Sequence, residues 1–375
     1  MESVVYLLKI CYHFLLIFIL YCFAMRKSKR MVVYRRQIEF VPTDKHFLPF
    51  GTVFLFCMLE GLYSFLCGPL KTYLADRRVY AYFFLQNYFI QENSPLLYQI
   101  EIHLRQLTDN PDILFFVIAV IYMLVTCIAY NQSDDADPYV FLLVGASQYL
   151  LYGCYQLKQA LAVAFIALST AFFLKKKRVL FILFLCMGIL SHESAYIAIP
   201  LFIVLMGSKK RWIQISEYVM LIIFMVFFRQ ISSILISIGS GIIPGLSKQV
   251  AVYLSDNGDQ AELGIARALK GIPFYIITFY GFFLRKKGRA ENAKYDKYLL
   301  ISAVVSFSSL FAIYMPWMFR FGELFYIPDF LFAAYLRKIS DGRAKKQYSF
   351  LLVLSFLTFT LYKLIISYWN YGGIV

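Results

Sequence analysis

Apolar residues along the chain come in long runs separated by short polar and basic breaks. A helix crossing about 30 Å of hydrocarbon needs roughly 20 mostly apolar residues. Runs of that kind fall at about 4–24, 47–67, 111–130, 139–157, 160–174, 179–191, 195–207, 213–228, 263–284, 298–315, 321–336 and 347–367. The pattern predicts an all-α fold, a polytopic transmembrane helical bundle of about 12 spans. From Tyr139 to Leu174 the apolar stretch is unbroken over 36 residues. As one helix it would measure about 54 Å, so it must turn back, at Gln156, Lys158 and Gln159. Two further stretches, Tyr73–Ile90 and Leu96–Leu107, are partly amphipathic and predict helices lying along the interface.

Composition supports the membrane reading: 61% of the 375 residues are hydrophobic and 16% are charged, against about a quarter charged in soluble domains. The net charge of +15 does not indicate nucleic-acid binding, because the basic residues sit between apolar runs rather than on a polar surface. They collect in five clusters, Arg26–Arg36, Lys175–Arg178, Lys209–Arg211, Arg285–Arg289 and Arg337–Lys346. With twelve crossings all five share one face, which the positive-inside rule makes cytoplasmic. The acidic loop 131–138 shares that face. Both termini and the two longest loops, about 68–110 and 229–262, then lie outside, so a chamber built from loops is an outward-facing cavity.

Residues 1–375 read as a single integral membrane domain, with no fixed-period repeat and no domain linker. The first apolar run follows only Met1 and Glu2 and precedes RKSKR, which predicts a retained span rather than a cleaved signal. The seven cysteines are odd in number and form no CxxC, so neither a disulfide framework nor a thiolate metal site is indicated.

A charge at a helix centre costs about 2.5 to 3.5 kcal/mol even on mild scales, so polar residues at membrane depth call for a partner, a wet cavity or a role. His192, in SHES, stands between the clusters at 175–178 and 209–211, only 30 residues apart. Each leg is then roughly 20 to 24 Å long as helix, short of the hydrocarbon thickness, and the tip sits below the outer surface. There His192 is suited to general-base work; the alternative is a helix-breaking turn capped by Ser191 or Ser194. Arg320, in PWMFRFGE, can hold two phosphate oxygens, or else pair with Glu323 as an interfacial arginine. Lys158 and Gln159 mark the outer turn between the fourth and fifth spans, where a lysine is commonly an interface anchor. Asp76, Arg77, Arg78 and Tyr80 cluster in ADRRVYAYF, a pattern that also suits a solvated loop. Arg267 and Lys270 add positive charge near the ninth span. Together these outward cations imply an anionic ligand such as a lipid pyrophosphate.

DRRVYAYF (76–83), LKQALAVAFIALSTAFFLKKK (157–177), CMGILSHESAYIAIPLF (186–202) and RFGELFYIP (320–328) occur in an order and spacing that resemble the EpsG-like branch of the Wzy-type bacterial polysaccharide polymerases. Where that family carries Arg before the Gln of the outer turn, this chain has Lys158, which keeps the charge and loses the bidentate fork. The resemblance implies a membrane glycosyltransferase on the outer face of the bacterial cytoplasmic membrane, compatible with a GT-C-like architecture. It implies transfer of a growing glycan from undecaprenyl pyrophosphate to the non-reducing end of a lipid-linked repeat unit, with no metal and no cofactor. His192 would be the base or acceptor-orienting group, with Asp76 the runner-up base. Arg320, with help from Lys158 and Arg77, would bind pyrophosphate, and Gln159, Arg78, Tyr80, Arg267, Glu323 and Tyr326 would complete the substrate contacts. Implied partners are undecaprenyl-pyrophosphate-linked oligosaccharides and the lipid bilayer, with a chain-length regulator and a flippase as candidates and no nucleic acid. The rivals are a lipid-linked oligosaccharide flippase or transporter and an O-antigen-ligase-like enzyme.

Overall fold

The computed structural model describes residues 27–34, 37–66, 75–86, 94–146, 156–206, 268–286, 292–312 and 318–368, with scattered positions before residue 26. The expected spans at 4–24 and 213–228, the loop 229–262 and the cluster Lys209–Arg211 lie wholly or mostly outside these residues. The chain divides into two compact units, one of Met1–Tyr196 with Tyr326–Val375, the other of Ile197–Phe325.

The first unit opens with an antiparallel pair, β1 (Lys27–Tyr34) and β2 (Gln37–His46), in register from Lys27 opposite His46 to Tyr34 opposite Gln37. This hairpin is the exception in an element order that is otherwise helical, as expected. A search for runs of about 20 apolar residues passes over strands of 8 and 10 residues, although MVVY and IEFV are rich in the β-branched and aromatic residues that strands favour.

Helices follow: α1 (Phe50–Leu66), α2 (Ala75–Leu85), α3 (Pro95–Arg105), α4 (Asp112–Gln132), α5 (Pro138–Ala146), α6 (Leu157–Leu174) and α7 (Arg178–Ser191). After α7 comes a 3-10 turn, Glu193–Ile197, and the unit closes with α12 (Tyr326–Ile339) and α13 (Gly342–Tyr368). Among the described residues two helices, α4 and α6, are long and apolar enough to cross a membrane. The helices α2 and α3 match the two stretches expected to be amphipathic, α3 starting one residue earlier. The long apolar run does break before Leu157, where α6 begins.

The helix α6 is the hub of this unit. From Leu157 to Phe173 every side chain except Lys158 is buried, the mark of a helix apolar all round. Small residues set how closely its neighbours approach. A Cβ on Gly188 of α7 would stand 2.9 Å from Ile166 Cδ1 of α6, and Ser169 Oγ donates to Phe181 O at 2.9 Å. The turn joining α6 to α7 is tight enough to hold Lys176 at φ 60°. Likewise a Cβ on Gly61 of α1 would meet Val120 of α4 at 2.7 Å, beside a bond from Ser64 Oγ to Phe115 O.

The second unit contains α8 (Ala198–Met206), α9 (Ile272–Lys286), α10 (Ala293–Phe311) and the short α11 (Phe319–Glu323). Thr278 of α9 bonds Ser302 and Ser306 of α10 through hydroxyls at 2.7 and 2.6 Å, so polar groups in this apolar core satisfy one another. Asn292 caps α10 by accepting from Tyr295 N at 2.7 Å. Gly322 lets α11 sit on α10, since a Cβ there would meet Val305 backbone at 3.1 Å and Ser308 Oγ closer still.

Candidate functional site

The sequence-derived site residues divide between the two units, and the first holds a cluster of them. Lys158 and Gln159 stand in the first turn of α6. A cation there opposes the helix dipole, whose N-terminal end is already positive, so it needs compensating negative charge. Two carboxylates supply it: Glu101 of α3 and Glu193 of the 3-10 turn both act on the Lys158 ammonium.

The other wall of the cluster is the end of α7. His192 is its C-cap, with extended backbone at φ −158°, ψ 132°, and this breaks the helix as the sequence led us to expect. The capping group differs from the expected serines. Ser194 N–H donates to His192 Nδ1 at 3.0 Å, so the imidazole itself caps the 3-10 turn, while Ser191 Oγ bonds back to Met187 O at 2.7 Å. Ser194 Oγ then reaches Gln159 Oε1 at 3.4 Å and ties the His192 turn to the head of α6.

That bond decides the tautomer. A ring nitrogen accepting a backbone N–H has its lone pair in use, so the neutral imidazole carries its proton on Nε2. In this conformation His192 presents a donor at Nε2, suited to orienting a hydroxyl or meeting a phosphate oxygen, and proton abstraction at that atom is closed to it.

The Asp76–Tyr80 segment is helical rather than loop, in the first turns of α2. Arg77 is 3% exposed, pairs with Asp112 at 2.8 Å and lies 3.8 Å over the Phe115 ring. Its charge fastens α2 to α4. Arg78 is exposed and Tyr80 half-buried; the side chain of Asp76 lies outside the described residues. Tyr326 is buried at the start of α12.

In the second unit, Arg320 is half-buried on α11. Glu323, the partner the sequence suggested for it, is buried against Lys270, with Lys270 Nζ 3.4 Å from Glu323 Oε1 and 5.4 Å over the Phe319 ring. This pair joins groups 53 positions apart, beyond the reach of a motif. Arg267 lies outside the described residues.

Sequence reasoning missed Glu101. The signal was present: Leu97 and Glu101 are four apart and share the buried face of α3, so a carboxylate stands where an amphipathic helix places an apolar residue. Burial pushes that carboxyl up to about 7, against the opposing pull of Lys158. Among the described residues no three His, Cys, Asp or Glu side chains are grouped to hold a metal ion. The cluster offers instead an ammonium, a helix N-terminus, an imidazole N–H and an amide, a set complementary to phosphate oxygens and hydroxyls.

The family model described as the EpsG family matches residues 53–372. No curated protein and no solved structure matches the chain.

Proposed function

The chain belongs to the EpsG family, whose members are Wzy-like polymerases, and from that membership we propose that it is an oligosaccharide repeat-unit polymerase. It would act at the outer face of the bacterial inner membrane, on undecaprenyl-pyrophosphate-linked repeat units of a surface polysaccharide. What supports this reading beside the family is that the His192 turn is tied through Ser194 to Gln159, next to Lys158 in the first turn of α6.

In the proposed reaction the hydroxyl at the non-reducing end of one repeat unit attacks the anomeric carbon of the growing glycan. The bond from that carbon to phosphate breaks, the pyrophosphate leaves with the electron pair on its lipid, and the hydroxyl proton passes to a base. Two demands follow, stabilising charge on the departing phosphate and orienting the hydroxyl. Lys158 and the positive end of α6 meet the first, the role that the family resemblance also gives to Arg320. His192, through its Nε2 proton, and Gln159 meet the second. Asp76, on α2, is the carboxylate we assign to the proton.

The test is complementation of a strain deleted for the gene, with surface glycan and lipid-linked intermediates resolved on a gel. Single repeat units on lipid at the outer face, restored to long chains by wild type and by neither His192→Ala nor Arg320→Gln, are the expected result. Repeat units retained on the cytoplasmic face identify a flippase; long lipid-linked chains left untransferred identify a ligase. Either outcome rejects the polymerase.

A further inference from the structure

In the second unit Lys270, just before α9, and Glu323, at the end of α11, are 7% and 2% exposed, so both charges are out of water. The Lys270 ammonium reaches two groups of α11, the Glu323 carboxylate at 3.4 Å and the Phe319 ring at 5.4 Å. Those residues are four apart and share one face of the helix. Each member of the pair adjoins a glycine pressed on the same turn of α10, the helix against which α9 and α11 pack. A Cβ on Gly271 would stand 2.6 Å from Ser309 Cβ, and one on Gly322 would meet Val305 backbone at 3.1 Å and Ser308 Oγ closer still. Val305, Ser308 and Ser309 are three and four apart, so they form one face of α10.

A helix of 5 residues does not hold its own orientation, since isolated helices below about 12 residues are marginal. Met318, at the N-cap of α11, makes no side-chain capping bond. The orientation is therefore set from outside, by the seat on α10 and by the ammonium that holds the face of Phe319 and Glu323. Net stability is not what the two charges add, because loss of hydration cancels much of the attraction within a buried pair. They add direction, because either charge parted from the other is costly.

We infer that Lys270 is a positioning residue for Arg320. Arg320 follows Phe319 on α11, about 100° around the helix from it. A rotation of α11 that parts Glu323 from Lys270 turns the guanidinium through the same angle. Lys270 acts through Glu323 and Phe319, without touching the ligand. That the ligand of Arg320 is a lipid pyrophosphate rests on the proposed function; that the pair fixes the direction of Arg320 does not.

The experiment is calorimetric titration of inorganic pyrophosphate into the full-length protein in lipid nanodiscs, with the unfolding temperature of each variant measured beside it. Arg320→Gln sets the floor, about 10-fold or more below wild-type affinity. Glu323→Gln gives the sign. It removes a negative charge, so electrostatics alone would tighten anion binding, whereas a misdirected Arg320 binds about 10-fold more weakly. Because Glu323→Gln also strands the Lys270 charge and lowers stability, the double variant Lys270→Met with Glu323→Gln separates folding from direction. It keeps the net charge and strands neither group, so its unfolding temperature returns toward wild type while its affinity stays about 10-fold down. Lys270→Arg keeps a cation beside Glu323 and over Phe319, and binds within about 3-fold of wild type. Tighter binding by Glu323→Gln overturns the inference, as does wild-type affinity in the double variant or in Arg320→Gln. So does a double variant that is both weak and still destabilised, a Lys270→Arg that binds no better than the double variant, or a wild type that binds no pyrophosphate. In parallel, undecaprenyl-pyrophosphate-linked repeat units are offered to the same preparations. Elongation with affinities that ignore the pair removes the positioning and keeps the polymerase; the expected affinities without elongation remove the polymerase and keep the positioning.

Discussion

The two ends of the first unit use charge in opposite ways. At the end where α4 and α6 finish, the ion pairs are partly exposed. Arg337 binds Asp137 at 2.5 Å, donates to Ser349 Oγ at 3.1 Å and lies 4.8 Å over Tyr139; Lys175 meets Asp134 at 3.6 Å and Gln132 at 3.5 Å. These contacts fasten the acidic loop 131–138 to two of the basic clusters. At the other end, beside the fastening pair Arg77 and Asp112, the charges of Glu101 and Glu193 both act on the one ammonium of Lys158, on the helix whose Gln159 meets the His192 turn. Balanced pairs have little left to give a ligand, whereas an unbalanced, half-buried group responds to one. The comparison teaches where to look for chemistry: at the charges that the fold does not close off.

The largest expected effects break that comparison outright. Lys158→Met and His192→Ala should each lower long-chain glycan by about 100-fold or more, the usual scale for losing a positioned donor or charge at a reacting centre. Arg337→Met, compared at matched membrane abundance on the same gel, should leave the yield per molecule unchanged. Equal losses in all three would mean that the two ends are not functionally distinct.

Next in size is the packing that joins the His192 turn to α6. Gly188→Leu forces a side chain against Ile166, already within 2.9 Å of where a Cβ would stand. Overpacking of this kind costs about 1 to 3 kcal/mol, and relief requires α7 to shift relative to α6, which separates Ser194 from Gln159. Both a lower unfolding temperature in detergent and a loss of polymer are expected. A lower unfolding temperature with full activity would show that the turn tolerates displacement.

Arg337→Met comes third. Its side chain and that of Asp137 are 26% and 20% exposed, and charge-assisted hydrogen bonds of this kind contribute about 1.5 to 3 kcal/mol. The expected result is a lower unfolding temperature and an unchanged yield of long-chain glycan per molecule. A changed yield would reveal coupling between the ends.

Which of these features the sequence disclosed depends on how far apart the interacting residues stand. The break before Leu157, the helices α2 and α3 and the turn at His192 were legible because each is a local matter of apolar run length or of a polar interruption. The strands β1 and β2 were hidden by the choice of a membrane-length window. Long-range pairing was the real gap. Lys270 finds Glu323 only through the packing of elements distant in sequence, and no spacing rule reaches that far. Glu101 came nearest to being found, since its place on the apolar face of α3 could have been read from Leu97. The capping role of His192 could not, because it depends on which ring nitrogen meets Ser194 N–H.

The smallest expected effect is also the finest test of the comparison. Lys175 and Asp134 are 24% and 61% exposed, and a pair so open to water contributes about 0 to 1 kcal/mol, less at high salt. Lys175→Met should therefore shift the unfolding temperature in detergent by a degree or two at most. Its share in the bond to Gln132 does not change this, because that amide can turn to water. If the shift matches that of Arg337→Met, the double variant decides why. A combined loss smaller or larger than the sum would mean that Lys175, Asp134, Asp137 and Arg337 act as one network. The fastening end would then be as interdependent as the end that holds Lys158, and the contrast between them would rest on burial and charge balance rather than on connectivity.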